Sequence, residues 1–209
     1  MTTANAATLA QQMAATRQDA AYDKFVHSRA AFWLAFAWGL AEAMFFFIVP
    51  DALLTALACR AWRPAWRATC AALCGALLGG SLMFAGAAAR PDVMQRYLMH
   101  VPAIGGELVA QVQTQVETHG LTALLLGPVQ GIPYKIYAVV LGARGEAWWR
   151  FALVSIPARY ARFLLSALAA RGLARLLQRW TKRRVEIELT VLVALWLEFY
   201  CFYFNRFGW

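Results

Sequence analysis

The chain has 209 residues, 61% of them hydrophobic, with a mean hydropathy of +0.50 and a formal net charge of +9. Soluble domains lie at about 45–50% apolar, so the composition points away from a soluble globular enzyme and towards one membrane domain. The basic residues gather at the ends of apolar segments, which is a membrane-topology pattern, and no nucleic-acid partner is expected.

Residues 1–29 read as a cytoplasmic or interfacial N-terminal segment, rich in Ala, Thr and Gln, with Tyr22, Phe25 and Val26 near the membrane surface. No basic stretch leads into an early apolar run, so no secretory signal is read here. Residues 30–204 form the predicted transmembrane domain, and residues 205–209 a short tail.

Residues 30–59 are apolar but carry Glu42 and then Pro50-Asp51. An unbroken helix of that length would reach about 45 Å, more than a hydrocarbon core of about 30 Å. The simplest solution is a helix that turns back near Pro50. Arg60, Trp62, Arg63, Trp66 and Arg67 then mark an interface. Residues 68–89 carry no charge and fit one span, with Gly75 and Gly79 as a small-residue pair that lets helices approach closely, or as ordinary members of a Gly- and Ala-rich run.

Residues 90–120 are more polar, and 106–118 read as an amphipathic helix outside the hydrocarbon. His100 and His119 read as surface residues. Residues 121–143 are apolar again, but Gly127, Pro128, Gly131 and Pro133 argue against an unbroken helix. Residues 151–170 form a span carrying Pro157, Arg159 and Arg162. Residues 185–204 form the last, with Glu198 inside it. Between them lies a basic loop of Arg171, Arg175, Arg179, Lys182, Arg183 and Arg184, with Glu186 and Glu188 as its expected surface ion partners.

Charge chooses between topologies. If both interrupted segments return to the side they enter, and the N-terminus is inside, the arginines of 60–67 and the basic run of 171–184 both lie inside, as the positive-inside rule prefers. If each segment crossed once, the arginines of 60–67 would lie outside. A shift of 83 residues places Pro50 on Pro133, Trp66 on Trp149 and Arg67 on Arg150. The fold expected is therefore an all-α membrane protein, a helical bundle with two oppositely oriented re-entrant, broken-helix hairpins forming an inverted repeat. The expected breaks are Pro50 in the first hairpin and Gly127, Pro128, Gly131, Pro133 and Tyr134 in the second.

Glu42 with Pro50-Asp51, Ile132-Pro133-Tyr134-Lys135 followed by Gly142, and Arg159-Tyr160-Ala161-Arg162-Phe163 together resemble the DedA family of bacterial inner-membrane proteins, which carry the VTT (SNARE-associated Golgi protein) domain. The YqaA-like subgroup is the nearest. Where that subgroup has Phe-Thr-Pro ahead of Ile-Pro-Tyr-Lys, this chain has Val129-Gln130-Gly131. The resemblance covers about residues 30–200. It implies two facing hairpins in the bacterial inner (plasma) membrane and movement of a phospholipid or polyprenyl-phosphate lipid, linked to the proton-motive force.

On that basis Glu42 and Asp51 are the candidates for coupling to a proton or to substrate. Arg159 and Arg162 share a helix face, and their planar forks of donors suit phosphate oxygens. With Lys135 they are the candidate head-group site. The alternative role for all five is mutual charge compensation. Rival functions are a proton-coupled transporter of small ions or solutes, and a membrane scaffold or assembly factor. Enzyme activity is not expected, because no Asp-Gly-x-x-Ala-Arg run or Ser-Gly-His element is present. The cysteines Cys59, Cys70, Cys74 and Cys201 form no CxxC pair, so neither metal, cofactor nor disulfide is expected. Membrane lipids are the expected partners, with self-association into a homo-oligomer an open possibility.

Overall fold

A computed structural model of the chain describes residues 3–181 and 185–207. Among them there are helices and no strand: α1 Thr3–Val26, α2 Arg29–Met44, α3 Asp51–Arg60, α4 Trp62–Ala89, α5 Pro91–Leu98, α6 Gly106–His119, a 3-10 turn Gly120–Thr122, α7 Ala123–Gln130, α8 Tyr134–Ala143, α9 Trp148–Thr181 and α10 Val185–Phe207. The stretches Trp62–Ala89, Trp148–Arg179 and Ile187–Asn205 are long and apolar enough to cross a bilayer. Their outward faces keep large side chains such as Leu82, Leu153, Leu165, Leu197 and Phe202 exposed, which suits lipid as the solvent. The chain is an all-α membrane protein.

The buried face of α4 explains its packing. Ala65, Ala68, Ala72, Gly75, Ala76 and Gly79 line it, and α2 lies against it. A Cβ on Gly75 would fall on the Phe36 carbonyl, and one on Gly79 would lie 2.9 Å from Ala43 Cβ. The small pair is therefore a packing device. Because Phe36 meets Gly75 and Ala43 meets Gly79, α2 and α4 run parallel with their N-termini at one end. The chain that leaves α2 at Met44 must therefore come back through α3 before α4 begins.

Helix α9 runs antiparallel to α4, since Trp66 meets Tyr160 (Nε1 to hydroxyl, 3.1 Å) and Ser81 meets Trp148 (3.1 Å). It runs parallel to α3, with Asp51 beside Ser166 and Cys59 beside Ala170. At the far end of α3, Arg171 Nη1 donates to the carbonyls of Ala58, Cys59 and Arg60 at 3.3, 2.9 and 3.3 Å. These are helix-end acceptors with no partner inside the helix. Helix α8 packs chiefly on α4, as α3 does on α9. The 83-residue shift also lays α3 onto α8 at both ends.

Several expectations need correction. Arg171, Arg175 and Arg179 lie on α9, not in a loop, because the helix continues to Thr181. Lys182, Arg183 and Arg184 lie outside the described residues, as do Gly208 and Trp209. Residues 205–207 continue α10 where a tail was expected. Glu188 is buried, not a surface ion partner, and accepts from Gln178 Nε2 at 2.9 Å. Val26 is buried in the core, and Tyr22 donates to the Ala56 carbonyl at 2.5 Å, docking the end of α1 on α3.

Gly127 and Pro128 lie inside α7 instead of at a break. Gly127 gives room for the Tyr137 ring, which would be 2.6 Å from a Cβ there. The second break comes one turn later. Gly131 takes the left-handed conformation (φ +74°) that ends the helix, with its N–H on the Gly127 carbonyl. Pro133 is extended and precedes α8. Tyr134 is no break residue either: it opens α8 and is buried.

Candidate functional site: a buried ion cluster between two broken segments

Glu42 lies near the end of α2, Asp51 at the start of α3, Lys135 at the start of α8, and Arg159 and Arg162 one turn apart on α9. The fold brings all five together. Arg159 Nη1 approaches Glu42 Oε1 at 3.5 Å while Nη2 donates to Oε2, and both residues are buried. Arg162 Nη2 donates to Asp51 Oδ2 at 2.9 Å, and Ser166 Oγ donates to Oδ1 at 2.6 Å. Asp51 is also the first residue of its helix, where the macrodipole favours an anion.

The Arg159 guanidinium lies 5.0 Å from the Tyr134 ring and 4.7 Å from the Phe163 ring, cation–π contacts that partly replace lost hydration. Tyr134 donates to Ser155 Oγ at 2.9 Å, and Ser155 donates to the Phe151 carbonyl at 2.7 Å. The two ion pairs differ in depth. The Arg159 side chain is 2% exposed and that of Arg162 26%, so Arg162 is the more accessible of the two arginines.

Lys135 is buried and has no carboxylate within 4 Å among the described residues. Its Nζ donates to the Phe46 carbonyl at 2.8 Å. That carbonyl belongs to the first break, whose backbone groups need partners where water is scarce. Trp38 Nε1 donates to the Ile48 carbonyl at 2.9 Å, and the Val49 N–H donates to the Tyr200 hydroxyl at 2.8 Å. Side chains from α2, α8 and α10 thus satisfy three backbone groups of residues 46–49.

The cluster holds three cations against two carboxylates. Buried Arg159 Nε also has no hydrogen-bond partner among the described residues. A narrow cavity lined by Leu124, Gly127, Ile132, Tyr134, Arg159 and Arg162, with an accessible volume of about 10 Å³, adjoins it, enough for roughly one water molecule. Chemically the arrangement is a largely buried ion cluster whose positive charge exceeds its built-in negative charge by one.

The sequence marked all five charged residues but not their polar neighbours. Ser166 carried a usable signal, one turn beyond Arg162 on the same face. Tyr200, Trp38 and Ser155 carried none, because tertiary packing alone brings them in. Glu198 is exposed on α10 and belongs to neither of the cluster's ion pairs.

No family model matches the chain. No solved structure matches it significantly. An uncharacterised protein of Haemophilus influenzae is 27% identical over 156 residues, covering 72% of this chain and 80% of the relative. What the molecule is known to be thus rests on its own helices and charges: an α-helical membrane protein with a buried, net-positive cluster.

Proposed function

We propose that this protein moves phosphate-bearing lipids, phospholipid or polyprenyl-phosphate, between membrane leaflets. The observation that carries the reading is the surplus cation. Lys135 has a carbonyl for a partner and, among the described residues, no carboxylate within 4 Å, at the junction of two broken segments. An unbalanced buried charge is costly, and a lipid phosphate would supply the missing negative charge. Arg162, partly exposed, would exchange Asp51 for the incoming phosphate, while the acyl chains stay in the bilayer beside α10. Proton uptake at Glu42 or Asp51 would weaken an ion pair and free an arginine for the substrate.

In this reading α2–α3 and α7–α8 are re-entrant hairpins. Helix α2 is about 24 Å long and α3 about 15 Å at 1.5 Å per residue, each short of a hydrocarbon core of about 30 Å. The antiparallel course of α4 and α9 supports it, because everything between them starts and finishes at one end. The coincidence of α3 with α8 supports the inverted repeat. Arg29, Arg63, Arg67, Arg171, Arg175 and Arg179 gather at the end where α2 begins, which supports a cytoplasmic N-terminus. DedA membership and a bacterial inner-membrane location fit the same features.

The test is reconstitution of the purified chain into liposomes with head-group-labelled lipid, followed by quenching of the outer leaflet. Quenching beyond the outer-leaflet half in protein-containing vesicles is expected; quenching that stops there defeats the proposal. A second reading, transport of a small ion, is favoured by the cavity's single-water size. Ion flux without lipid exchange would select it.

A further inference from the structure

A second basic site lies apart from the ion cluster, at the end where α2 and α4 both begin. Residues 26–29, 31–33, 63, 64 and 67 line an open cavity of about 850 Å³ there, within the size range of ligand sites. Arg29, Arg63 and Arg67 line it, and none has a carboxylate or other hydrogen-bonding partner among the described residues. Asp23, one turn before His27, is taken by Arg60 at 2.9 Å, and His27 sits at the same rim, 3.9 Å from Asp23.

These arginines are exposed, and their placement is mildly unfavourable electrostatically, a cost an anion would relieve. Arg29 is the first residue of α2 and Arg63 the second of α4, and cations at a helix N-terminus oppose the macrodipole. Arg63 and Arg67 repel each other as like charges at i, i+4. Because α2 and α4 are parallel, their positive ends add instead of cancelling, and the start of α4 has no side-chain cap. Positive-inside bias requires basic residues in this region but not their convergence on one cavity. Phe32, Trp33 and Pro64 give that cavity an apolar wall, so one side suits phosphate oxygens and the other an alkyl or glycerol portion.

We propose that this cavity binds a phosphate-bearing anion through Arg29, Arg63 and Arg67. The site does not depend on the transport reading. The anion comes either from a lipid head group or from soluble phosphate, and the experiment separates the two. Phosphatidic acid is titrated into the detergent-purified full chain and bound lipid is counted by native mass spectrometry. Melting is followed in parallel with inorganic phosphate against chloride at equal ionic strength.

The wild type is expected to bind at least one of the two saturably, and Arg63→Gln/Arg67→Gln to weaken that binding about tenfold or more. Arg63→Lys/Arg67→Lys should retain most of it. The charge-matched control Arg175→Gln/Arg179→Gln should stay within about twofold of the wild type. Phosphatidic acid binding without a phosphate response assigns the head group; a phosphate response of similar size assigns soluble phosphate. Should the double variant fail to fold, Arg29→Gln alone reads the same loss. No binding of either probe, or equal losses in site and control variants, overturns the proposal.

Discussion

Lys135 Nζ donates to the Phe46 carbonyl at 2.8 Å, tying the start of α8 to the break after α2. The two halves of the chain are joined at their least regular points by a buried cation. Lys135→Met removes the donor and leaves that carbonyl unsatisfied, a loss of about 1–3 kcal/mol that removal of the unbalanced buried charge offsets in part. The expected outcome is a lower melting temperature in detergent together with loss of lipid exchange in liposomes.

Glu42 and Arg159 form the deeper ion pair. Glu42→Gln leaves a buried guanidinium without its counter-charge, expected to cost about 3–5 kcal/mol. Removing both charges in Glu42→Gln/Arg159→Gln should recover much of that stability. If the pair serves transport, the double variant melts nearer the wild type yet still fails to exchange lipid. Thermal melts and leaflet-exchange rates on the same preparations separate the two effects.

Gly75 is expected to be far less tolerant than Gly172. A Cβ at Gly75 meets the Phe36 backbone, while nothing lies within 4 Å of one at Gly172. Gly75→Ala should lower the melting temperature by forcing α2 off α4. Gly172→Ala, in the interior of α9, should raise stability by about 0.5–1 kcal/mol. Differential scanning fluorimetry of the two variants checks the parallel packing.

Tyr200 places α10 in the site through one hydroxyl, which accepts from the Val49 N–H at 2.8 Å. Tyr200→Phe keeps the ring and its contact with Trp196 but leaves that donor unpaired. A cost of about 1–3 kcal/mol follows, with faster amide exchange expected at Val49 by hydrogen–deuterium exchange mass spectrometry.

Much of this arrangement was legible in the residues. Glu42, Asp51 and Arg162 stood out because charge inside an apolar run is expensive. Pro50 and Pro133 marked the starts of α3 and α8 because proline cannot continue a preceding helix. Gly127 and Pro128 misled, since a proline without its amide is still carried by a short helix, and the turn waited for a residue able to take positive φ. Glu188 misled because sequence proximity to Lys182 suggested an ion partner, whereas the fold supplied Gln178. The partners from α10 were invisible, because nothing local in the sequence brings Tyr200 back onto Val49, or Trp196 Nε1 to the Thr55 hydroxyl, to which it donates at 3.0 Å.

The most direct test is leaflet exchange of a head-group-labelled phospholipid in liposomes, comparing the wild type with Arg162→Ala in protein that melts cooperatively. Rapid exchange by the wild type and a loss of about tenfold or more in the variant is predicted. Exchange by Arg162→Ala at the wild-type rate would contradict the account.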